Sequence, residues 1–240
     1  MGLLLGSVVE VAGCGQAARP QPDRAGSSSC AGQRQVVRQA LKRSHLRVDV
    51  TGDGRPDTVA AAADPSAPKP CRGLVAVRTD GVVHSAHLIP AAVPVEGSRA
   101  RVVGVPRLGS HRGAAIVVDT GAMVDAVLAQ LFTFADGRLH VVRVPGRQDG
   151  AFIVEGGGVT FPHAARCTTD GRLVVSRAVQ VRHGHRFRVT RRFYRLDAAG
   201  LRLSVLSVQQ ASLPVSRLDS RFSEFAGAHW QACTDRPGTS

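Results

Sequence analysis

Hydrophobic and polar positions alternate with two different periods along this chain. From Gln33 to Ser44, Val36, Val37, Ala40 and Leu41 recur at helical spacing among Arg, Gln and Lys, which predicts one amphipathic helix whose apolar stripe lies across a sheet. From Leu46 onward the pattern changes to short β-branched runs cut by Asp-Gly or Gly-rich turns. Leu74–Arg78 and Val82–His84 flank Thr79-Asp80-Gly81, and Leu131–Phe134 and Leu139–Val142 flank Ala135-Asp136-Gly137-Arg138. Asp170-Gly171 precedes Leu173–Val175, and Asp197 to Gly200 precedes Leu201–Val205. Asp-Gly between strand runs signals a hairpin, because these residues tolerate the positive φ that a tight turn demands. Gly156-Gly157-Gly158 separates the runs Phe152–Val154 and Val159–Phe161, so it reads as a turn and not as a phosphate cradle. The pattern predicts a mainly β fold class: an antiparallel meander, irregularly propeller-like or a sandwich, with one N-terminal amphipathic helix.

Within this pattern lies Asp49-Val50-Thr51-Gly52-Asp53-Gly54-Arg55-Pro56-Asp57, which leads into the apolar run Thr58–Ala62. Oxygen-bearing side chains fall at alternate positions and glycines allow sharp winding between them. Calcium is a hard cation that takes six to eight oxygens, and Asp49, Thr51, Asp53, the Arg55 carbonyl and Asp57 could supply five. Gly54 falls where an EF-hand loop needs glycine, but Ala60 stands where that loop needs its bidentate Glu, and a strand comes next instead of a helix. The stretch from Val48 to Ala62 resembles the D-x-[DN]-G-D-G-x-x-D loop of FG-GAP and VCBS-type repeats, with Thr51 in place of the usual Asp or Asn. That resemblance implies a calcium-stapled turn between two antiparallel strands. The neutral hydroxyl implies weak affinity, on the order of 10⁻⁴–10⁻³ M. The alternative is a plain Asp53-Gly54 turn without metal. A faint echo, Val105 to Ala114 followed by Ile116–Val118, matches Gly52 with Gly109 and Arg55 with Arg112 and keeps none of the acidic ligands. A spacing of this size suits a blade-like unit. The strands suffice for only a few blades, so an open or irregular sheet is expected.

Composition adds compartment and partner. With 240 residues and 43% hydrophobic content the chain can bury a full core. Its formal charge is +13, and every basic residue except Lys42 and Lys69 is Arg, a bias that looks like a high-GC actinobacterial proteome. Aromatics are 4% and the Arg residues are scattered along strands, which argues against nucleic acid, and an anionic cell envelope is an equally good counter-charge. Cys14, Cys30, Cys71, Cys167 and Cys233 form no C-x-x-C motif. If Cys14 is a special case, four cysteines remain for two disulfides, as an oxidising compartment would produce. Three pairings are open, and chain order favours Cys30 with Cys71 and Cys167 with Cys233.

Cys14 is special because Val11-Ala12-Gly13-Cys14 resembles the bacterial lipobox, whose Cys is lipidated and becomes the first residue of the mature protein. The short apolar run Leu3–Val9 precedes it and the Ala-, Pro-, Gly- and Ser-rich stretch Gly15–Ser29 comes after it. The division is then 1–14 signal peptide, 15–31 flexible tether and 32–240 a single β-rich extracytoplasmic domain. No basic n-region is present and Glu10 interrupts the apolar run, which points to a true start upstream.

Chemistry-bearing clusters are sparse. His183-Gly184-His185 sits at the tip of a hairpin with alternating Arg, where two histidines lack the third ligand that zinc needs. No nucleophile elbow, Walker loop or zinc-protease motif occurs. Asp119, Asp125 and Glu155 are the carboxylates that a loop-assembled hydrolase site could use. The reading is of an envelope-anchored, calcium-stabilised β lipoprotein acting in binding or envelope structure. The partners it implies are the membrane through its lipid, and an anionic envelope polymer or another envelope protein. The alternatives are a secreted hydrolase and a sensor that binds anionic polymer through its Arg-rich hairpin.

Overall fold

A computed structural model describes residues 30, 33–89, 100–123, 126–148, 150–181, 184–227, 230 and 233. Cys14, the tether apart from Cys30, Asp125 and His183 lie outside the described residues. The protein is mainly β, with thirteen described strands in two antiparallel sheets. Helix α1 (Gln33–Arg43) occupies the predicted place. The first sheet has the order β1-β2-β3-β4, formed by Arg47–Val48, Asp57–Ala63, Gly73–Thr79 and Val82–His87. The second runs β13-β12-β11-β10-β9-β7-β6-β5, with β8 also paired to β7. Its strands are β5 (Arg101–Gly104), β6 (Ile116–Met123), β7 (Ala126–Ala135), β8 (Arg138–Val141), β9 (Ala151–Gly156), β10 (His163–Cys167), β11 (Leu173–Val181), β12 (Arg186–Leu196) and β13 (Leu203–Pro214). The path ends at β5 and β13 without closing, so the open, irregular sheet is what forms.

The Asp-Gly turns behave as expected. Asp80 and Gly81 have φ of 46° and 80°, and Asp136 and Gly137 have 49° and 73°, the positive pair that a two-residue hairpin requires. One expected strand does not form. Val159–Phe161 is a turn, with Val159 84% exposed, and β10 starts only at His163. Three successive positive-φ glycines, Gly156 to Gly158, swing the chain out of the sheet. Thr160 and Pro162 then return only single carbonyls, to the amides of Gln180 and Ala178.

The two sheets share a core. Val59, Val75 and Val77 from the first meet Ile116, Val118 and Phe132 from the second. The outer face of the first sheet is covered as well, since Ala60, Leu74 and Ala76 pack under Val37 and Leu41 of α1. Burial on both faces is why β2 and β3 read as unbroken apolar runs and not as alternations. Strands β6 and β7 sit likewise between two cores: Val117, Ala129 and Leu131 turn away from the first sheet into a larger cluster with Leu173, Tyr194, Leu196 and Trp230.

Both disulfides join the pairs favoured by chain order, Cys30–Cys71 and Cys167–Cys233, with Cα separations of 5.6 and 5.9 Å. The first lies beside the start of α1, where the Gln33 side-chain amide also donates to the Cys71 carbonyl. The second holds Trp230 against β5, close enough that a methyl at Gly104 would overlap the indole.

Candidate functional site

The Asp49–Asp57 loop connects β1 to β2, two antiparallel strands in which Val48 pairs with Asp57. Its carboxylates are turned toward main-chain donors. Asp57 Oδ2 accepts from the Val50 and Thr51 amides at 2.9 and 3.2 Å. Asp49 Oδ1 accepts from the Gly52 amide at 2.6 Å and its Oδ2 from the Gly54 amide at 3.1 Å. Asp53 accepts from the Arg55 amide at 2.8 Å and is exposed. The Thr51 hydroxyl lies 3.5 Å from Asp49 Oδ1. The Arg55 side chain reaches Asp80 at 3.5 Å, with both groups in solvent, a pairing of little energetic weight.

The echo segment lies directly against this loop. The Ala114 amide donates to the Asp49 carbonyl at 2.9 Å, and a methyl at Gly113 would overlap the Val50 carbonyl oxygen. Arg107 Nη2 stands 3.7 Å from Asp49 Oδ2 while its Nη1 donates to the Arg112 carbonyl. A guanidinium and four amides thus take lone pairs of Asp49 and Asp57 that a calcium ion would use. Among the described residues no group of three or more His, Cys, Asp or Glu side chains gathers as a metal cage. To hold calcium here, Asp49 would have to release Arg107, and Asp57 would have to release its amides.

A different surface brings four arginines together. In β11–β13 the register aligns Val181, Arg186 and Pro214, then Val179, Arg188 and Ser212, then Arg177, Thr190 and Gln210, then Val175, Arg192 and Val208. Side chains aligned in this way share one face of a sheet. Four guanidinium groups, from Arg177, Arg186, Arg188 and Arg192, therefore stand on one side of three strands. Arg177, Arg188 and Arg192 are exposed. Among the described residues none of the four pairs with a carboxylate. Arg186 leans onto β13, where its Nε donates to Ser212 Oγ at 3.2 Å and its Nη2 to the Ser212 carbonyl at 2.8 Å. His163 pairs with Arg177 from β10, and burial together with the Arg177 charge holds its imidazole below the ordinary 6.5. The expected division of the hairpin into an Arg face and an apolar face holds on β12, where Phe187 and Val189 are buried opposite Arg186 and Arg188. On β11, Val175, Val179 and Val181 share the Arg side, so the face is mixed.

The opposite side of β12 is anchored by a network with no counterpart among the sequence candidates. Glu224 is fully buried. It accepts from Arg191 Nε at 2.6 Å, from Arg191 Nη2 at 3.3 Å and from Ser176 Oγ at 2.7 Å. Arg166 Nε is 3.9 Å away. The Arg191 guanidinium lies over the Phe193 and Phe222 rings, 5.0 and 4.8 Å from their centroids. A bidentate, ring-covered arginine loses little freedom on pairing. The sequence carried one signal for it: Glu224 stands between Phe222 and Phe225 in a segment otherwise shaped for burial.

Of the other candidates, Asp119 on β6 lies 3.5 Å from Arg101 and accepts from the Gly121 amide at 2.9 Å. Glu155 is on β9, beyond β7. It lines a recess of about 510 Å³ with His163, Asp219, Leu218, Phe225 and the inward-held Glu224. His185 is exposed in the β11–β12 turn. Among the described residues no helix is long and apolar enough to cross a membrane.

Fold and surface together define a disulfide-linked, two-sheet antiparallel β protein with an arginine-studded strand face. No protein-family model, curated protein or solved structure matches the chain.

Proposed function

We propose that the protein is an extracytoplasmic, envelope-anchored lipoprotein whose β domain binds an anionic partner through the face formed by Arg177, Arg186, Arg188 and Arg192. The observation that carries this is four guanidinium groups on one registered face with no carboxylate among the described residues to neutralise them. Arg177 is the diagonal neighbour of Arg188 and Arg192 across β11 and β12, within reach of long side chains, and an anion that bridges these like charges relieves their mutual repulsion on binding. The two disulfides support an oxidising compartment, and the lipobox-like Cys14 would supply the membrane tether. The test is titration with polyphosphate at rising salt. Replacing the four arginines with glutamine is expected to weaken binding by about fourfold or more, from roughly 0.2–1 kcal/mol for each exposed charge pair. Screening should abolish most of the difference at 1 M salt, where the Debye length is about 3 Å. Equal affinity of parent and variant at low salt rejects the face.

The reading includes calcium at the Asp49–Asp57 loop, supported by the alternating oxygens of Asp49, Thr51, Asp53, the Arg55 carbonyl and Asp57 and by the loop's place between antiparallel strands. An ion that binds only the folded state must raise the melting temperature with its concentration. Millimolar calcium is therefore expected to raise Tm, and Asp53→Ala to remove the rise. An unchanged Tm from chelator to millimolar calcium would leave the loop as a turn held by its own amides and Arg107.

A further inference from the structure

Strand β13 ends the second sheet, and among the described residues no strand lies beside its outer edge. It is 12 residues long and contains no charged side chain, in a chain of which 20% is charged. Ser204 to Gln210 are exposed without interruption, and Val205, Leu206 and Val208 keep 46%, 41% and 50% of their surface in water. Exposed edges are usually blunted by charges, by proline or by bulges, because their unpaired N–H and C=O groups template another strand. Here the protection is confined to the two ends. Leu206 is the extra residue where Phe193 pairs with Ser207 and Tyr194 with Val205, and Pro214 closes the strand. Ser207 to Ala211 between them is a regular edge, followed by Ser212, whose carbonyl accepts from Arg186 Nη2.

We infer that this edge accepts an extended, acidic segment of another polypeptide, which adds a strand beside β13 and places alternate carboxylates under Arg188 and Arg192. The proposal rests on the arginine-face reading and narrows its partner. Backbone pairing selects a polypeptide, since a polyphosphate or a glycan offers no ladder of amides and carbonyls to an open edge. Charge selects an acidic one. An added strand lies two strand spacings, roughly 10 Å, from β12, and the side chains between them are the short Val208 and Ser212. A guanidinium on β12 can reach across β13, as Arg186 does when it hydrogen-bonds both the hydroxyl and the carbonyl of Ser212. A second copy of this chain presents the same uncharged edge backed by the same arginines, so its field opposes pairing.

The test uses the full chain and three fluorescein-labelled ten-residue probes: alternating Thr-Glu, the same peptide N-methylated at every second residue, and alternating Thr-Lys. Anisotropy at about 0.15 M salt reads the affinity. The Thr-Glu peptide is expected to bind and the Thr-Lys peptide not to. N-methylation, which removes amide donors and leaves the charge, should weaken binding by about tenfold or more, as should Arg188→Gln with Arg192→Gln. If the methylated peptide binds as well as its parent, charge alone holds it; the edge proposal is overturned while the arginine-face reading stands. Polyphosphate binding without any peptide binding has the same consequence. If neither polyphosphate nor acidic peptide binds, both fall.

Discussion

Glu224→Ala is expected to cost about 3–5 kcal/mol of folding stability. The substitution leaves Arg191, whose side chain is 16% exposed, with no carboxylate and with its charge still held between two phenylalanine rings. It also strips Ser176 of its acceptor and Arg166 of its counter-charge. Removing one partner of a buried pair costs far more than removing both, because the survivor stays desolvated without compensation. Glu224→Leu combined with Arg191→Met should therefore recover part of the loss, and the cycle gives the coupling between them. Urea unfolding of the oxidised protein measures it, through a lowered midpoint at unchanged slope. A loss below about 1 kcal/mol for Glu224→Ala, the size of an exposed pair, would mean that water reaches the network and that the Ser223–Ala226 turn does not pin β10–β12.

Cys167→Ser with Cys233→Ser is expected to cost about 4 kcal/mol, the loop-closure entropy for a separation of 66 residues. It also carries a local signature. Trp230 is the only tryptophan and is 7% exposed, held between β5 and the disulfide. Releasing Cys233 frees this segment first, so tryptophan emission should shift to the red under native conditions. Replacing Cys30 and Cys71, which close a separation of 41 residues, should lower stability by a similar amount of about 4 kcal/mol with unchanged emission. If both double variants leave the emission alike, Trp230 is held by its packing in the core and not by the bridge.

The features legible in the sequence obey local rules. The helix was legible because Val36, Val37, Ala40 and Leu41 form a stripe, and the Asp80-Gly81 and Asp136-Gly137 hairpins because few residues accept their φ angles. The Val159–Phe161 run had strand composition but misled, since three glycines before it removed the geometry that pairing needs. Glu224 was hidden because its partners Ser176 and Arg191 are 48 and 33 residues away, and nothing in a linear pattern brings them together. The Asp49–Asp57 loop was legible as a turn with alternating oxygens, whereas the approach of Arg107 depends on the packing of β5 beside β2.

The arginine face shows the same division. Its residues alternate visibly along Arg186–Arg192, but alternation gives only the side of one strand. Whether four arginines stand together depends on the register of β11, β12 and β13. That register depends in turn on which flank of a twisted sheet each core claims. By itself the sequence determined the mainly β class, the helix and the Asp-Gly turns, all of which come from local backbone preference, whereas the choice among the three cysteine pairings was made by the fold. Only the tertiary structure decided that β13 is an open edge, that Glu224 is sealed beneath β12 and that Arg177 joins the arginines of the next strand. Those facts depend on contacts between distant residues, whose free energy appears only once the sheets are packed.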